Sequence, residues 1–398
     1  MDIEDRLFSI DIDNGEVESN DADTCSTSEI ESLFNTPYTC VNEVRTPAKT
    51  WILHMSGNKD VKPLIAVGLS DFSCSVYDGE RLEKICSLCG HKGTISGVRF
   101  NSQNGNLLYS GSCDGSVKLW DIRTGNVCVN SYQGTLDTSE KVKPILSFDV
   151  TPNDRWICAG TELVNEDAFI LFWDARSSKL LGGYWESHTD DITQVKCHPS
   201  SNDRIATGST DGLINIYDIK KSSEEDAFLY CLNTESLVDK LGWFSRDGND
   251  ALMCITSTHI LQLWDPVEVA PDAHFSREAI TSAMMRKNTE DCYLVDIHPR
   301  ESDDGRLVLL CGSRAGKGEC LRLVNVHGKK LSPASALKGN KQIVQASWFD
   351  EDSECLVTGG ERGILNVWKP HHQKSELSPM KLKADSKLKL SGHRVKQY

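Results

Sequence analysis

Apolar and β-branched residues in this chain gather in short runs closed by small or turn-forming residues. LLYSGS (107–112), RWICAG (155–160), RIATGS (204–209), ALMCIT (251–256), RLVLLCG (306–312) and CLVTGG (355–360) are such runs, and each predicts a strand. A second kind of segment recurs among them, apolar-x-apolar followed by an aromatic residue and Asp, or a worn form of that pair. Its marks are Tyr77-Asp78, Trp120-Asp121, Trp173-Asp174, Tyr217-Asp218, Trp264-Asp265, Val324-Asn325 and Trp368-Lys369, at intervals of 43, 53, 44, 47, 60 and 44 residues. Helical periodicity is sustained over more than ten residues nowhere.

Two stretches share one ruler. From His91 it is 19 residues to Ser110, 23 to Asp114 and 29 to Trp120, and from His188 the same steps reach Thr207, Asp211 and Tyr217. Gly90-His91 leading to SGSCDGSVKLWD, and Ser187-His188 leading to TGSTDGLINIYD, resemble the GH…WD signature of WD (WD40) repeats. Such a repeat is one propeller blade of four strands. Seven marks then imply an all-β, seven-bladed WD40 β-propeller over residues 34–370. After Trp368 blade seven has only three strands' worth of chain. Residues 37–44 (PYTCVNEV) are expected to supply the fourth beside 364–368, which removes an exposed sheet edge. The segments 1–33 and 371–398 are expected to lie outside the ring as disordered tails.

Composition bounds the function classes. Hydrophobic residues make up 39% of 398, with nine Trp, enough for a sizeable core. No apolar run approaches the ~18 residues of a membrane span, and MDIEDRLFSID is acidic where a signal peptide is basic. Fifteen cysteines without framework spacing fit a reducing compartment, so a cytoplasmic or nuclear location is expected. The net charge of −15 divides into −10 for residues 1–33, +6 for 369–398 and −11 for the body between. An acidic body argues against a propeller that binds nucleic acid, since phosphate contacts dominate such affinity. The terminal lysines are compatible with nucleic-acid contact, nuclear targeting or simple solubility.

The recurring His, Ser/Thr, Asp and aromatic set admits two readings. One is a Ser-His-Asp catalytic triad. The other, and the expectation here, is a structural hydrogen-bond relay inside each blade. In blade two Asp114 would accept from His91, His91 from Ser110, and Ser110 from the Trp120 indole. Blade four has His188, Thr207 and Asp211 but ends on Tyr217, so its last link should change. Blade seven has Gly339 and Arg362 where His and Asp would fall, so its relay should be absent. Other chemistry is weak. Cys86-Ser-Leu-Cys89 is half of a zinc spacing with no second half nearby. Gly312-Ser-Arg-Ala-Gly-Lys-Gly318 falls short of a phosphate loop and precedes a strand. No catalytic residue, metal or cofactor is expected.

The exceptions to the period place the candidate binding elements. Extra residues fall at 132–143, at TELVNEDAF (161–169) in blade three and at SRAGKGE (313–319) in blade six. In a propeller these loop classes open on one face, the narrower one, and loops on a rigid scaffold commonly carry function. Glu162, Glu166 and Asp167 on blade three and Arg314 and Lys317 on blade six are the candidate partner face. Trp120-Asp-Ile-Arg123 and Trp173-Asp-Ala-Arg176 form a WDxR doublet in adjacent blades. It resembles the doublet by which substrate receptors dock on the adaptor of cullin-4 ubiquitin ligases, with Arg123 and Arg176 as the contacts, on the opposite face.

Several segments resemble the WD repeat-containing protein 89 family: ICAGTE (157–162), NEDA (165–168), FWDAR (172–176), SHTDDITQVKCHPS (187–200), GSTDGLINIYDI (208–219), EEDAF (224–228) and TGGE with VWKP in 358–370. They cover blades two to five well and blade seven fairly. Arg362, where that family tends to carry Asp, and the long acidic N-terminus depart from it. The resemblance implies a propeller without assigned catalytic activity. The expected role is a non-enzymatic scaffold or adaptor for protein or peptide partners, with the ligase receptor as the alternative.

Overall fold

The computed structural model describes residues 21–370, except 37, 48–49, 61, 135–140 and 301–304. They form seven antiparallel sheets of four strands each, a seven-bladed β-propeller. Blade two is typical: Ile95–Phe100 inside, then Leu107–Ser112, Ser116–Asp121 and the outer Cys128–Gln133. Blade seven is built from Val344–Asp350, Cys355–Gly360 and Ile364–Pro370, and its outer strand is Tyr38–Arg45. Tyr38 pairs with Pro370 and Arg45 with Ile364, so the chain's beginning closes the ring.

Second and third strands are buried on both sides, which is why they read as unbroken apolar runs rather than as alternation. Their side chains pack between blades. Seven apolar clusters each join one blade to the next, and one of them joins Val357, Leu365 and Val367 of blade seven to Ile65, Val67 and Tyr77 of blade one. A blade has no core of its own, so closure is a condition of stability.

Two bulges recur, and they supply the local bend and twist that a blade needs. The inner strand carries one in six blades, as between Ile95 and Gly97. The outer strand carries one opposite the aromatic mark or its worn form in six, as where Leu119 faces Asn130 and Trp120 faces Cys128. The extra residues there include Ile85, Val129, Leu181 and Leu229, four of the exposed large apolar side chains. Their exposure follows from the bulge geometry and does not mark a docking patch.

The N-terminal segment is where structure and sequence part. Residues 21–33, drawn from sequence as part of an outer tail, lie against blades five and six. A helix, Thr27–Leu33, starts at a Ser26/Glu29 capping box and buries Ile30, with Phe34 buried after it. Sequence missed it because the helix is only seven residues long and most of its side chains are polar. The expectations for 1–20 and 371–398 lie outside the described residues.

Candidate functional site

In an antiparallel blade the turn between second and third strands, and the link to the next blade, open at one end, here called the upper face. The other two turns open on the lower face. The first relay sits just under the upper face of blade two. His91 Nδ1 is 2.9 Å from Asp114 Oδ2, His91 Nε2 is 2.8 Å from Ser110 Oγ, and the Trp120 indole donates to Ser110 Oγ at 2.8 Å. Indole N–H only donates and carboxylate only accepts, so the protons run from Trp120 and Ser110 toward Asp114. Burial opposes the Asp114 carboxylate. Its bonds from His91, Ser116 and the Lys92 amide nonetheless hold it well below the usual carboxylate range.

Blade four repeats the first two links: His188 Nδ1 is 2.9 Å from Asp211 Oδ2, and His188 Nε2 is 2.8 Å from Thr207 Oγ1. The Tyr217 hydroxyl finds no hydrogen-bond partner, and burial pushes its pKa up. The ring instead lies 5.6 Å from Tyr184 and 5.8 Å from Phe228. Blade seven keeps more than its sequence promised. The Trp368 indole donates to Thr358 Oγ1 at 2.9 Å, because that link needs only neighbours on paired strands. The fully buried Gln342, three residues past Gly339, takes over the turn by accepting from the Arg362 and Ile364 amides. Blade five ends its link on Gln262, which accepts from Trp264 at 3.1 Å. These sets are internal and hold turns in place. Ser110 and Thr207 are fully buried, so neither faces space a substrate could occupy.

The candidate partner residues all sit on the upper face but not together. The blade-three insertion folds into a tight turn in which the Val164 amide donates to the Asp167 carbonyl at 2.8 Å, and Asn165 and Glu166 both have positive φ. That turn presents Glu166 and Asp167 to solvent, with Glu162 half-buried at its base. Trp185, 50% exposed, stands in the next link. Its ring is 6.5 Å from Phe169, and the Lys143 ammonium lies 5.1 Å over Phe169. Sequence reasoning overlooked Trp185 because it lies outside the repeat marks. Arg314 and Lys317 are exposed three blades away, too far to meet the acidic turn in one contact.

On the lower face Arg123 and Arg176 adopt one geometry. Each guanidinium binds the Asp of its own WDxR in two bonds, 2.9 and 2.6 Å, to Asp121 and Asp174. Their side chains are 62% and 70% exposed. The central channel, about 120 Å³, is lined from all seven inner strands and includes His54, Arg99, Lys196, Lys240 and Asp296. Burial, then Lys240, Arg99 and Lys196, brings His54 down to about 3. Burial also lowers Lys196 to about 8.

The family model for the WD domain, G-beta repeat, matches residues 82–121 and 179–218, the two blades that hold the full ruler. This chain is a WD40-repeat protein. Among curated proteins it is 25% identical over 306 residues to a WD repeat-containing protein 89 homolog of Dictyostelium discoideum, covering 77% of this chain and 79% of that one. It is 26% identical over 331 residues to the WD repeat-containing protein GTS1 of Arabidopsis thaliana, covering 79% and 80%. An uncharacterized WD repeat-containing protein of Schizosaccharomyces pombe is 24% identical over 320 residues, covering 78% and 93%.

WD40 propellers act in general as protein-interaction scaffolds. Among the described residues no group of three or more His, Cys, Asp or Glu is placed to hold a metal ion. Cys86 and Cys89 are free thiols, as are the other thirteen cysteines. The 313–319 segment is a short 3-10 turn, Ala315–Gly318, leading into the strand Leu321–His327. It lacks the helix that a phosphate loop requires.

Proposed function

We propose that this WD40-repeat protein is a non-enzymatic adaptor whose upper face at blades three and four holds a partner segment both basic and apolar. The observation that carries this is the exposed acidic turn Glu166-Asp167, followed by Phe169, whose ring lies 6.5 Å from that of the half-exposed Trp185. Trp is enriched at binding hot spots because it offers large rigid area. The carboxylates would steer and orient a basic partner more than they would tighten it. The similarity to WD repeat-containing protein 89 supports membership of that family, and the cysteine usage supports a cytoplasmic or nuclear setting. Proximity labelling in cells, comparing wild type with Glu162, Glu166 and Asp167 reversed to Lys and with Trp185→Ala, tests the proposal. Loss of the same partners in both variants is expected, and an unchanged partner list overturns it.

A second reading, a cullin-4 ligase receptor, is favoured by one observation. Arg123 and Arg176 are equivalently braced and exposed on adjacent blades, leaving the upper face free for cargo. Recovery of the ligase adaptor by wild type but not by Arg123→Glu/Arg176→Glu would support it, and equal recovery would remove it.

A further inference from the structure

The N-terminal segment reaches the upper face of blade six through charge. Asp21 is bound by the Arg286 guanidinium at 2.8 Å, by the amides of Lys287 and Asn288 at 3.2 and 3.0 Å, and by the Ser313 hydroxyl. Asp23 accepts from Arg286 at 3.1 Å and from Arg322 at 2.7 Å. Arg322 is buried, is tied back to the Met284 carbonyl, and lies 4.9 Å over the Phe34 ring. The backbone pairs at one antiparallel bridge, Asp23 with Arg286, with the Thr24 amide on the Met285 carbonyl at 2.9 Å and the Lys287 amide on the Ala22 carbonyl at 3.1 Å.

This is the way an extended peptide is read. Backbone bonds hold the strand, and alternate side chains enter the receptor. Residues 21 and 23 both face the arginines while Ala22 is exposed. Arginine paired with carboxylate in several bonds is a strong and geometrically selective contact. The receptor half, Arg286, Arg322, Ser313 and two amides, belongs wholly to the propeller. The ligand half arrives on a separate segment joined to the ring by the three residues between Phe34 and Tyr38.

We propose that blade six carries a receptor site for extended Asp-x-Asp peptides, and that residues 21–34 occupy it in cis as an internal competitor. A partner bearing two carboxylates at i and i+2 on an extended strand is the class of ligand that displaces it. This deepens the protein-binding role at a different place on the ring, and its test reads blade six alone. A short tether gives the internal segment a millimolar effective concentration. An external peptide therefore binds wild type more weakly by the fraction of sites that are open.

The test is fluorescence anisotropy of a labelled peptide of residues 21–34, with Cys25→Ser, on the full chain. The Asp21→Asn/Asp23→Asn chain should bind it at least tenfold more tightly than wild type. A peptide with Asn at both aspartate positions should lose at least tenfold on the same protein. Equal binding to both chains, or equal binding of both peptides, overturns the proposal. Should the double variant not fold, hydrogen exchange of wild type with millimolar peptide decides. Faster exchange of amides 21–34 with the acidic peptide alone is expected, and no difference between peptides overturns it.

Discussion

Asp114→Ala is the sharpest test of what the recurring polar set does. The Asp114 carboxylate accepts from His91 Nδ1, from the Lys92 and Ser116 amides and from the Ser116 hydroxyl. The His91 side chain is 1% exposed and Ser116 is 2% exposed. Truncation therefore strands two buried donors, the His91 ring N–H and the Ser116 amide, while the Lys92 amide can turn to water. At about 1–3 kcal/mol for each buried unsatisfied group, the loss should be roughly 3–4 kcal/mol. Unfolding entropy of about 2.1 cal/mol/K per residue makes that a fall in Tm of roughly 4–6 °C for a ring of this length. Asp114→Asn keeps an acceptor for His91 and should cost only about 1 kcal/mol. The sign with pH is set by the depressed carboxylate. Its contribution is complete above the unfolded pKa of about 4 and is lost as pH falls through the lower folded value. The gap between wild type and Asp114→Ala should thus be full at pH 7 and narrow progressively below pH about 4. Denaturant titrations at both pH values measure it. A Asp114→Ala protein within about 0.5 kcal/mol of wild type at pH 7 would refute the relay as a structural element.

Three further outcomes follow from the same geometry. Tyr217→Trp should restore the missing indole link to Thr207 in blade four and raise stability by about 1 kcal/mol in denaturant titration; a loss would mean the Tyr184–Tyr217–Phe228 ring packing outweighs the bond. Gly318→Ala should cost more than about 2 kcal/mol. The added Cβ would meet the Gln342 backbone at 2.5 Å at a φ of +83°, so unchanged melting would contradict the placement of that turn. His54, with its pKa held near 3 in the channel, binds protons more readily when the chain is unfolded. Stability should therefore fall from pH about 6.5 toward 3, and His54→Gln should flatten that limb of a stability–pH profile.

Much of the ring was legible from residue pattern alone. Second and third strands announce themselves because both faces are buried, and a strand packed on two sides must be apolar almost throughout. The aromatic marks and the His–Ser/Thr–Asp spacings are equally visible, since a relay across fixed strands tolerates no change of step. Even the closing strand at 38–45 could be inferred, because a blade one strand short leaves an edge that something must cover. Blade seven's Trp368–Thr358 link keeps the ten-residue step of Trp120–Ser110, whereas its Gln342 substitute was not legible. Gln342 meets the Arg362 and Ile364 amides only once the turn is folded, at spacings no repeat advertises.

What sequence determined by itself is the architecture: the number of blades, their order and the polar grammar inside them, all of it local periodicity repeated along the chain. What only tertiary structure decided is which exceptions share a surface. It set Trp185 beside the acidic turn, put Arg314 and Lys317 three blades away from it, and made equals of Arg123 and Arg176. It also turned half of an acidic tail into a bound segment, because Asp21 and Asp23 lie some 265 and 299 residues from the Arg286 and Arg322 that hold them. Period encodes contacts within a blade and between neighbours. Charge pairing across the closed ring has no period, and it exists only after the ring has brought its ends together.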